Sequence, residues 1–189
     1  MERQLLFDEI VKSPVIAAVR DGADLEPALL GPPAIIFLLT SSINDMNSQC
    51  QLVRQAGKRC FLHVDLISGL RPDSQGLRYV ALQAKPDGII TTKPTCVRFA
   101  QALGLYTIER LFLLDSAALR EGEVNVKSCQ PDLVEILPGI SEKAIRMAVQ
   151  AFDRPLIAGG LIRTREDVYA ALSAGALGVS TSCQKLWQL

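Results

Sequence analysis

The sequence lacks any long hydrophobic run. Its longest uninterrupted apolar stretch is six residues long, at 34–39, whereas a membrane-spanning helix needs about 20. The first five residues, MERQL, carry an acidic and a basic side chain and lead into no extended apolar segment. We therefore predict neither a transmembrane helix nor a signal peptide, and no membrane partner.

Metal ligands, excess charge and paired cysteines are also scarce. The chain has one histidine, its 20 lysines and arginines balance 20 acidic residues, and its five cysteines form no C-x-x-C pair. Without net charge there is no general attraction for nucleic acid, so a polyanion must bind at a local patch. Unclustered ligands argue against zinc, and unpaired cysteines favour a reducing compartment. We predict no metal, no cofactor and a cytoplasmic location.

What the sequence does contain is a series of short apolar segments. In a chain of 189 residues that is 49% hydrophobic, they begin near residues 15, 34, 60, 87, 111, 133, 155 and 176. Helical patterns separate most of them, and segments without polar interruption are typical of parallel strands buried on both faces. Eight such units predict a closed (β/α)₈ TIM barrel, as a single domain over 1–189.

An open doubly wound sheet is the main alternative to the barrel. Its phosphate loop normally follows the first strand and carries the pattern G-x-G-x-x-G. Here the first predicted strand, 15–19, is followed by Arg20-Asp21-Gly22, which lacks that pattern. The closed barrel is therefore the favoured architecture.

The ends of the last two predicted strands carry many hydrogen-bond donors. Gly159 and Gly160 follow the seventh strand, and Ser180, Thr181 and Ser182 follow the eighth. Glycines let backbone amides approach an anion closely, and hydroxyls add further donors. In TIM barrels the loops after these two strands frequently bind phosphate. We predict a phosphate site here, the alternative being a tight turn beside a polar chain end.

Polar side chains also follow other predicted strands. Arg20, Asp65, Lys93 and Asp115 each stand at a carboxyl end, and in a barrel these ends meet at one mouth, where ligands bind. Each aspartate has an alternative role as a helix cap or as the partner of an arginine. Two roles are open for Lys93: it could attract a phosphate or carboxylate group, or it could form an imine with a carbonyl substrate.

Glu135 lies inside the sixth predicted strand, between Val134 and Ile136. A carboxylate inside a barrel requires a partner, and Lys93 or Arg110 could supply it. We expect Glu135 either to bind a ligand or to form a structural ion pair. The one histidine, His63, is also inside a strand, where a packed side chain is the more common role than a general base.

Several segments together resemble the glycerol uptake operon antiterminator regulatory proteins of bacteria, and the resemblance spans nearly the whole chain. These segments are PVIAAVR at 14–20, HVDLISGL at 63–70, DGIITTK at 87–93, RLFLLDS at 110–116, PDLVEILPG at 131–139, IAGGLI at 157–162 and GVSTS at 178–182. The resemblance implies a barrel that binds glycerol 3-phosphate as effector and acts on the leader mRNA of glycerol-use operons, so that transcription passes a terminator. An aldolase, epimerase or synthase acting on a small phosphorylated substrate is the alternative.

One set of residues is expected to bind the ligand and another to bind the RNA. The sequence leaves open whether the protein is a monomer or a homo-oligomer. The expected ligand-binding residues are Arg20, Asp65, Lys93, Arg110, Asp115, Glu135, Gly159, Gly160, Ser180, Thr181 and Ser182. Neutral net charge and the lack of an aromatic RNA-binding pattern leave the RNA surface less defined. Two basic patches are candidates for it, the first formed by Arg54, Lys58, Arg59 and Arg78 and the second by Arg163 and Arg165.

Overall fold

A computed structural model describes the chain from residue 2 to residue 189, and its side chains from residue 4 onward. Eight parallel strands close into a barrel in which each strand pairs with its neighbours in chain order and the last pairs with the first. Their bounds are β1 Val15–Val19, β2 Ile35–Leu38, β3 Arg59–His63, β4 Gly88–Thr91, β5 Tyr106–Phe112, β6 Leu133–Leu137, β7 Leu156–Gly159 and β8 Gly178–Thr181. The predicted TIM barrel is confirmed.

Helices precede the first strand and connect each strand to the next. Their bounds are α1 Glu2–Lys12, α2 Leu25–Leu30, α3 Met46–Gln55, α4 Ser74–Gln83, α5 Pro94–Ala102, α6 Ser116–Cys129, α7 Glu142–Ala151 and α8 Arg165–Ser173. After β8 the chain forms only a short 3₁₀ helix, Gln184–Gln188, whose Trp187 is buried. Over residues 2–189, no helix combines the length and the apolar character that crossing a membrane requires.

The fifth strand begins earlier than the apolar segment predicted near residue 111 indicates. It runs over Tyr106–Phe112, so it includes the polar residues that interrupt the apolar pattern. Both polar side chains are buried: Glu109 accepts a hydrogen bond from the Cys129 thiol at 3.2 Å, and Arg110 donates to Glu135 at 2.6 Å. These partners lie 20 and 25 residues away along the chain, and local pattern carries no sign of them.

The helix after the fifth strand contains Gly122 and Asn125, which have low helix propensity, yet α6 is continuous. A Cβ at Gly122 would lie 2.9 Å from Leu111 Cδ1, so this glycine allows close packing of α6 on the barrel.

The two ends of the barrel differ in polarity. At the amino ends of the strands, Leu6 and Ile10 of α1 join an interior cluster with Ile16, Phe37 and Phe61, so α1 closes this end. We call it the closed end. At the carboxyl ends the interior side chains become polar and the barrel is open to solvent, and we call this end the mouth.

Candidate functional site

A cavity of about 750 Å³ opens at the mouth. Seven of the residues expected to bind ligand line it: Arg20, Arg110, Glu135, Gly160, Ser180, Thr181 and Ser182. The lining comes from β1, β5, β6 and β8 and from the segments that directly follow β1, β2, β7 and β8, with none from β3 or β4 among the described residues. The paired ends of β7 and β8 therefore form one wall of a site large enough for a small phosphate ester.

A buried chain of hydrogen bonds forms the floor of this cavity. Ser180 Oγ donates to Glu135 Oε1 at 2.5 Å, and Arg110 Nε donates to Glu135 Oε2 at 2.6 Å. Relative exposure is 4% for Ser180, 1% for Glu135 and 7% for Arg110. Of the two partners expected for Glu135, Arg110 is the one observed. The carboxylate is thus charge-paired, as a buried ion requires.

The two glycines at the end of β7 have different roles. A Cβ at Gly159 would lie 2.5 Å from Glu135 Oε1 and 2.6 Å from Ser180 Oγ. Gly159 therefore makes room for the buried chain, and it does not line the cavity. Gly160 does line it, with a backbone φ of +79° that an L side chain rarely adopts.

The three hydroxyl residues at the carboxyl end of β8 also differ. Thr181 donates to the carbonyl of Ile162 at 2.8 Å and accepts from the Cys183 amide at 3.0 Å, so its hydroxyl holds the turn. Ser180 is committed to Glu135. Ser182 is exposed, and no other group within residues 2–189 bonds to its hydroxyl. Of the three hydroxyls, this one remains available to a ligand.

Cations surround the entrance of the cavity. Arg20, Arg163 and Lys185 are exposed lining residues, and none of their side chains forms an ion pair within the described chain. We call these three residues the rim cations. Sequence reasoning assigned Arg163 to RNA and missed Lys185, although its position just after the Ser-Thr-Ser turn would have suggested it.

Asp65 and Lys93 stand beside the cavity without lining it. Asp65 accepts hydrogen bonds from the Thr92 amide at 2.7 Å and the Thr91 hydroxyl at 3.0 Å, and Lys93 Nζ lies 4.0 Å from it. This carboxylate fixes the turn between β4 and α5. The enzyme alternative relied on Lys93, whose side chain is half exposed and outside the lining.

Asp115 serves as the N-cap of α6. Its Oδ1 accepts from the amides of Ala117 at 2.9 Å and Ala118 at 2.8 Å, which is the helix-capping role weighed from the sequence. The residue lies in a separate groove between α6 and α7, not in the mouth cavity.

His63 lies in the barrel interior, on the same side of β3 as Phe61, and is 3% exposed. Its Nδ1 has no hydrogen-bond partner in the described chain. Burial, followed by the positive charge of Arg110, lowers the pKa of His63 from 6.5 to about 4. The imidazole is therefore neutral near pH 7 and lies within electrostatic reach of Arg110.

Most of the first basic patch is engaged at the closed end. Arg59 bonds Glu9 through Nε at 2.5 Å and Nη2 at 2.9 Å, and Lys58 Nζ donates to two backbone carbonyls. Arg54 donates to the Lys85 carbonyl at 2.8 Å. In the second patch, Arg165 is exposed at the start of α8, two residues from Arg163.

Comparisons with known proteins agree on one family. The family model described as "Glycerol-3-phosphate responsive antiterminator" matches residues 15–187. A crystal structure of the glycerol uptake operon antiterminator regulatory protein from Listeria monocytogenes is 32% identical, with a TM-score of 0.89 over 92% of this chain and 94% of that one. An antiterminator-related protein from Thermotoga maritima is 30% identical, with a TM-score of 0.81 over 94% and 99%.

A relative from Escherichia coli K12, "Uncharacterized protein YgcP", is 35% identical over 94% of this chain and 93% of its own length. More distant structures include an N-acetylmannosamine-6-phosphate 2-epimerase from Clostridium perfringens, at 17% identity and a TM-score of 0.72 over 93% and 88%. At that identity the likeness concerns the fold alone.

Proposed function

The chain belongs to the family of glycerol-3-phosphate responsive antiterminators, and from this premise we propose that it binds glycerol 3-phosphate in the mouth cavity and thereby controls an action on leader mRNA. The observation that carries the proposal is the cavity itself, which combines a charge-balanced floor with three rim cations that form no ion pair among the described side chains. A phosphate dianion fits the rim, and a small uncharged body fits the space beneath it. The RNA target, the glycerol uptake and utilisation operons and a cytoplasmic location belong to the same proposal.

The phosphate-binding part is argued from charge and donors. Glu135 is the one acidic residue among the lining residues, and Arg110 neutralises it. Arg163 and Lys185 then supply donors to phosphate oxygens, together with the free hydroxyl of Ser182 and the backbone at Gly160. Charge-assisted hydrogen bonds of this kind contribute about 1.5–3 kcal/mol each.

Calorimetric titration with glycerol 3-phosphate tests this part. The change Arg163→Ala is expected to weaken binding about tenfold or more, because it removes one rim cation. Arg165→Ala is the matched control, since it removes the same charge two residues away at a position that does not line the cavity. It should change affinity less than about twofold. If the unaltered protein does not bind glycerol 3-phosphate, the proposal is wrong. Equal losses of affinity in the two variants would mean that the phosphate binds outside the mouth cavity.

For the RNA we propose the surface around Arg163 and Arg165, because it adjoins the mouth where effector binding could alter it. In the alternative patch, at the closed end, Arg54, Lys58 and Arg59 already bond to other groups of the protein. Contacts to RNA phosphates make the affinity fall as the salt concentration rises. The slope of log affinity against log salt concentration decreases in magnitude by about one for each contact removed.

Retention of a leader RNA containing the operon terminator, with and without glycerol 3-phosphate, tests the RNA part. We expect retention to depend on the effector, and Arg165→Ala to reduce both affinity and the salt slope. Arg78→Ala, an exposed site on α4, should leave both unchanged. RNA retention that is the same with and without glycerol 3-phosphate would contradict the coupling between effector binding and RNA binding.

A further inference from the structure

The mouth cavity contains two regions of different electrostatic character. Its entrance carries the rim cations, all exposed. Its floor is the buried chain of Arg110, Glu135 and Ser180, in which one positive and one negative charge cancel. A ligand with one charged and one neutral end is therefore oriented, with its anionic end outward.

The floor has spare hydrogen-bonding capacity. Arg110 uses Nε for Glu135, and in the described chain its two terminal nitrogens have no protein acceptor. Each oxygen of Glu135 accepts one hydrogen bond within the described chain, from Ser180 or from Arg110, and a carboxylate oxygen has room for a second. A group that both donates and accepts hydrogen bonds satisfies these atoms together, and an alcohol hydroxyl is such a group.

His63 adds an independent sign of an absent partner. It is 3% exposed, faces the barrel interior, and its Nδ1 makes no hydrogen bond within the described residues. A buried polar atom without a partner costs about 1–3 kcal/mol. The positive charge of Arg110 contributes to the lowered pKa of His63, so the two side chains lie within electrostatic reach of each other.

We infer that the floor formed by Arg110, Glu135 and Ser180 is a hydroxyl-recognition subsite, which selects phosphate esters of short polyols that carry a hydroxyl on the carbon next to the phosphorylated one. The inference rests on the proposed function and adds to it the basis of selectivity. The hydroxyl donates to Glu135 and accepts from a terminal nitrogen of Arg110. An analogue without it leaves these buried groups unpaired, which is how a site built around a hydroxyl rejects its deoxy counterpart.

Titration with two ligands tests the inference. The probes are glycerol 3-phosphate and 1,3-propanediol phosphate, which has the same length and charge and lacks only the middle hydroxyl. We expect the first to bind at least about tenfold more tightly. Affinities within twofold of each other would overturn the inference while leaving the proposed function standing. Failure of both ligands to bind would remove the proposed function itself.

Variants locate the selectivity. Glu135→Gln should reduce the affinity ratio to below about threefold, because an amide presents only one acceptor atom and leaves Arg110 without a counter-charge. Arg163→Ala should weaken both ligands by the same factor and preserve the ratio, since it acts on the phosphate. If Glu135→Gln does not fold, as judged by circular dichroism, the double variant Arg110→Met/Glu135→Leu, which leaves no buried charge, carries the test. A folded variant of the floor that keeps the full ratio would overturn the assignment.

Discussion

At the closed end of the barrel, Arg59 is held by Glu9 and lies 3.3 Å from Asp87, with its guanidinium 5.6 Å from the centre of the Tyr106 ring. At the mouth, Arg163 and Lys185 project into a cavity and have no ion pair within the described chain. The residue types are similar and the difference lies in their partners. A cation that the fold has already neutralised stabilises the fold, whereas an unpaired cation beside a cavity remains available to an anion.

The largest expected effect comes from Arg110, the cation of the mouth that does have a partner. Arg110→Met leaves the Glu135 carboxylate buried and uncompensated, which should lower the free energy of unfolding by about 3–5 kcal/mol in urea titrations. The double variant Arg110→Met/Glu135→Leu should recover most of this loss, because no buried charge remains. A single-variant loss below about 1 kcal/mol would mean that the pair does not form.

The pH dependence of stability provides a second test of the difference between the two ends, because burial keeps His63 in the barrel interior neutral near pH 7. Its folded pKa is about 4 against 6.5, so the unfolded chain takes up a proton first as pH falls. Stability from this group is present above about pH 6.5 and is lost as pH falls to about 4, by about 3 kcal/mol.

His63→Leu should remove this component, so the difference between its unfolding free energy and that of the unaltered protein should change across this pH window. Urea titrations at several pH values measure it. A constant difference from pH 7 to pH 4 would contradict the assignment.

Arg59 supplies the corresponding test at the closed end. Arg59→Met removes two hydrogen bonds to Glu9 and the contact with Asp87, and should lower the free energy of unfolding by about 2 kcal/mol. The affinity for glycerol 3-phosphate should not change. A folded Arg59 variant with impaired ligand binding would break the distinction between the two ends.

The smallest expected effects come from two glycines with positive φ, one at each end. Gly160 at the mouth has φ +79° and Gly57 at the closed end has φ +72°. Alanine at either position should cost about 1 kcal/mol of stability because of the left-handed backbone. Only Gly160→Ala should also weaken ligand binding, as calorimetry would reveal. Equal ligand affinity in both variants would contradict the role given to the turn after β7.

The barrel could be predicted because its strands are local apolar runs, and such runs carry their own signal. The bounds of β5 could not, since Glu109 and Arg110 are buried by partners far along the chain. The same reason hid the role of Arg59, whose partner Glu9 is 50 residues away. Ionisable residues in strands are interpretable only when their tertiary partners are known.

The location of the site could be predicted from the sequence, whereas most of its side-chain contacts could not. Convergence at the carboxyl ends of strands located the mouth, and seven of the eleven expected ligand-binding residues line its cavity. The sequence could not distinguish Gly159, which makes room for Glu135, from Gly160, which lines the cavity. Nor could it separate Asp65 and Asp115, which hold turns and helix ends, from residues that face a ligand.

Trp187 is the single tryptophan of the sequence. It is 2% exposed, and its indole nitrogen donates to the carbonyl of Thr181 at 2.8 Å, on the strand end that borders the cavity. Its fluorescence therefore comes from one known position, on the same turn as Lys185. A shift in that emission would report both occupancy of the mouth and loss of the fold, so the protein carries its own optical probe for titrations.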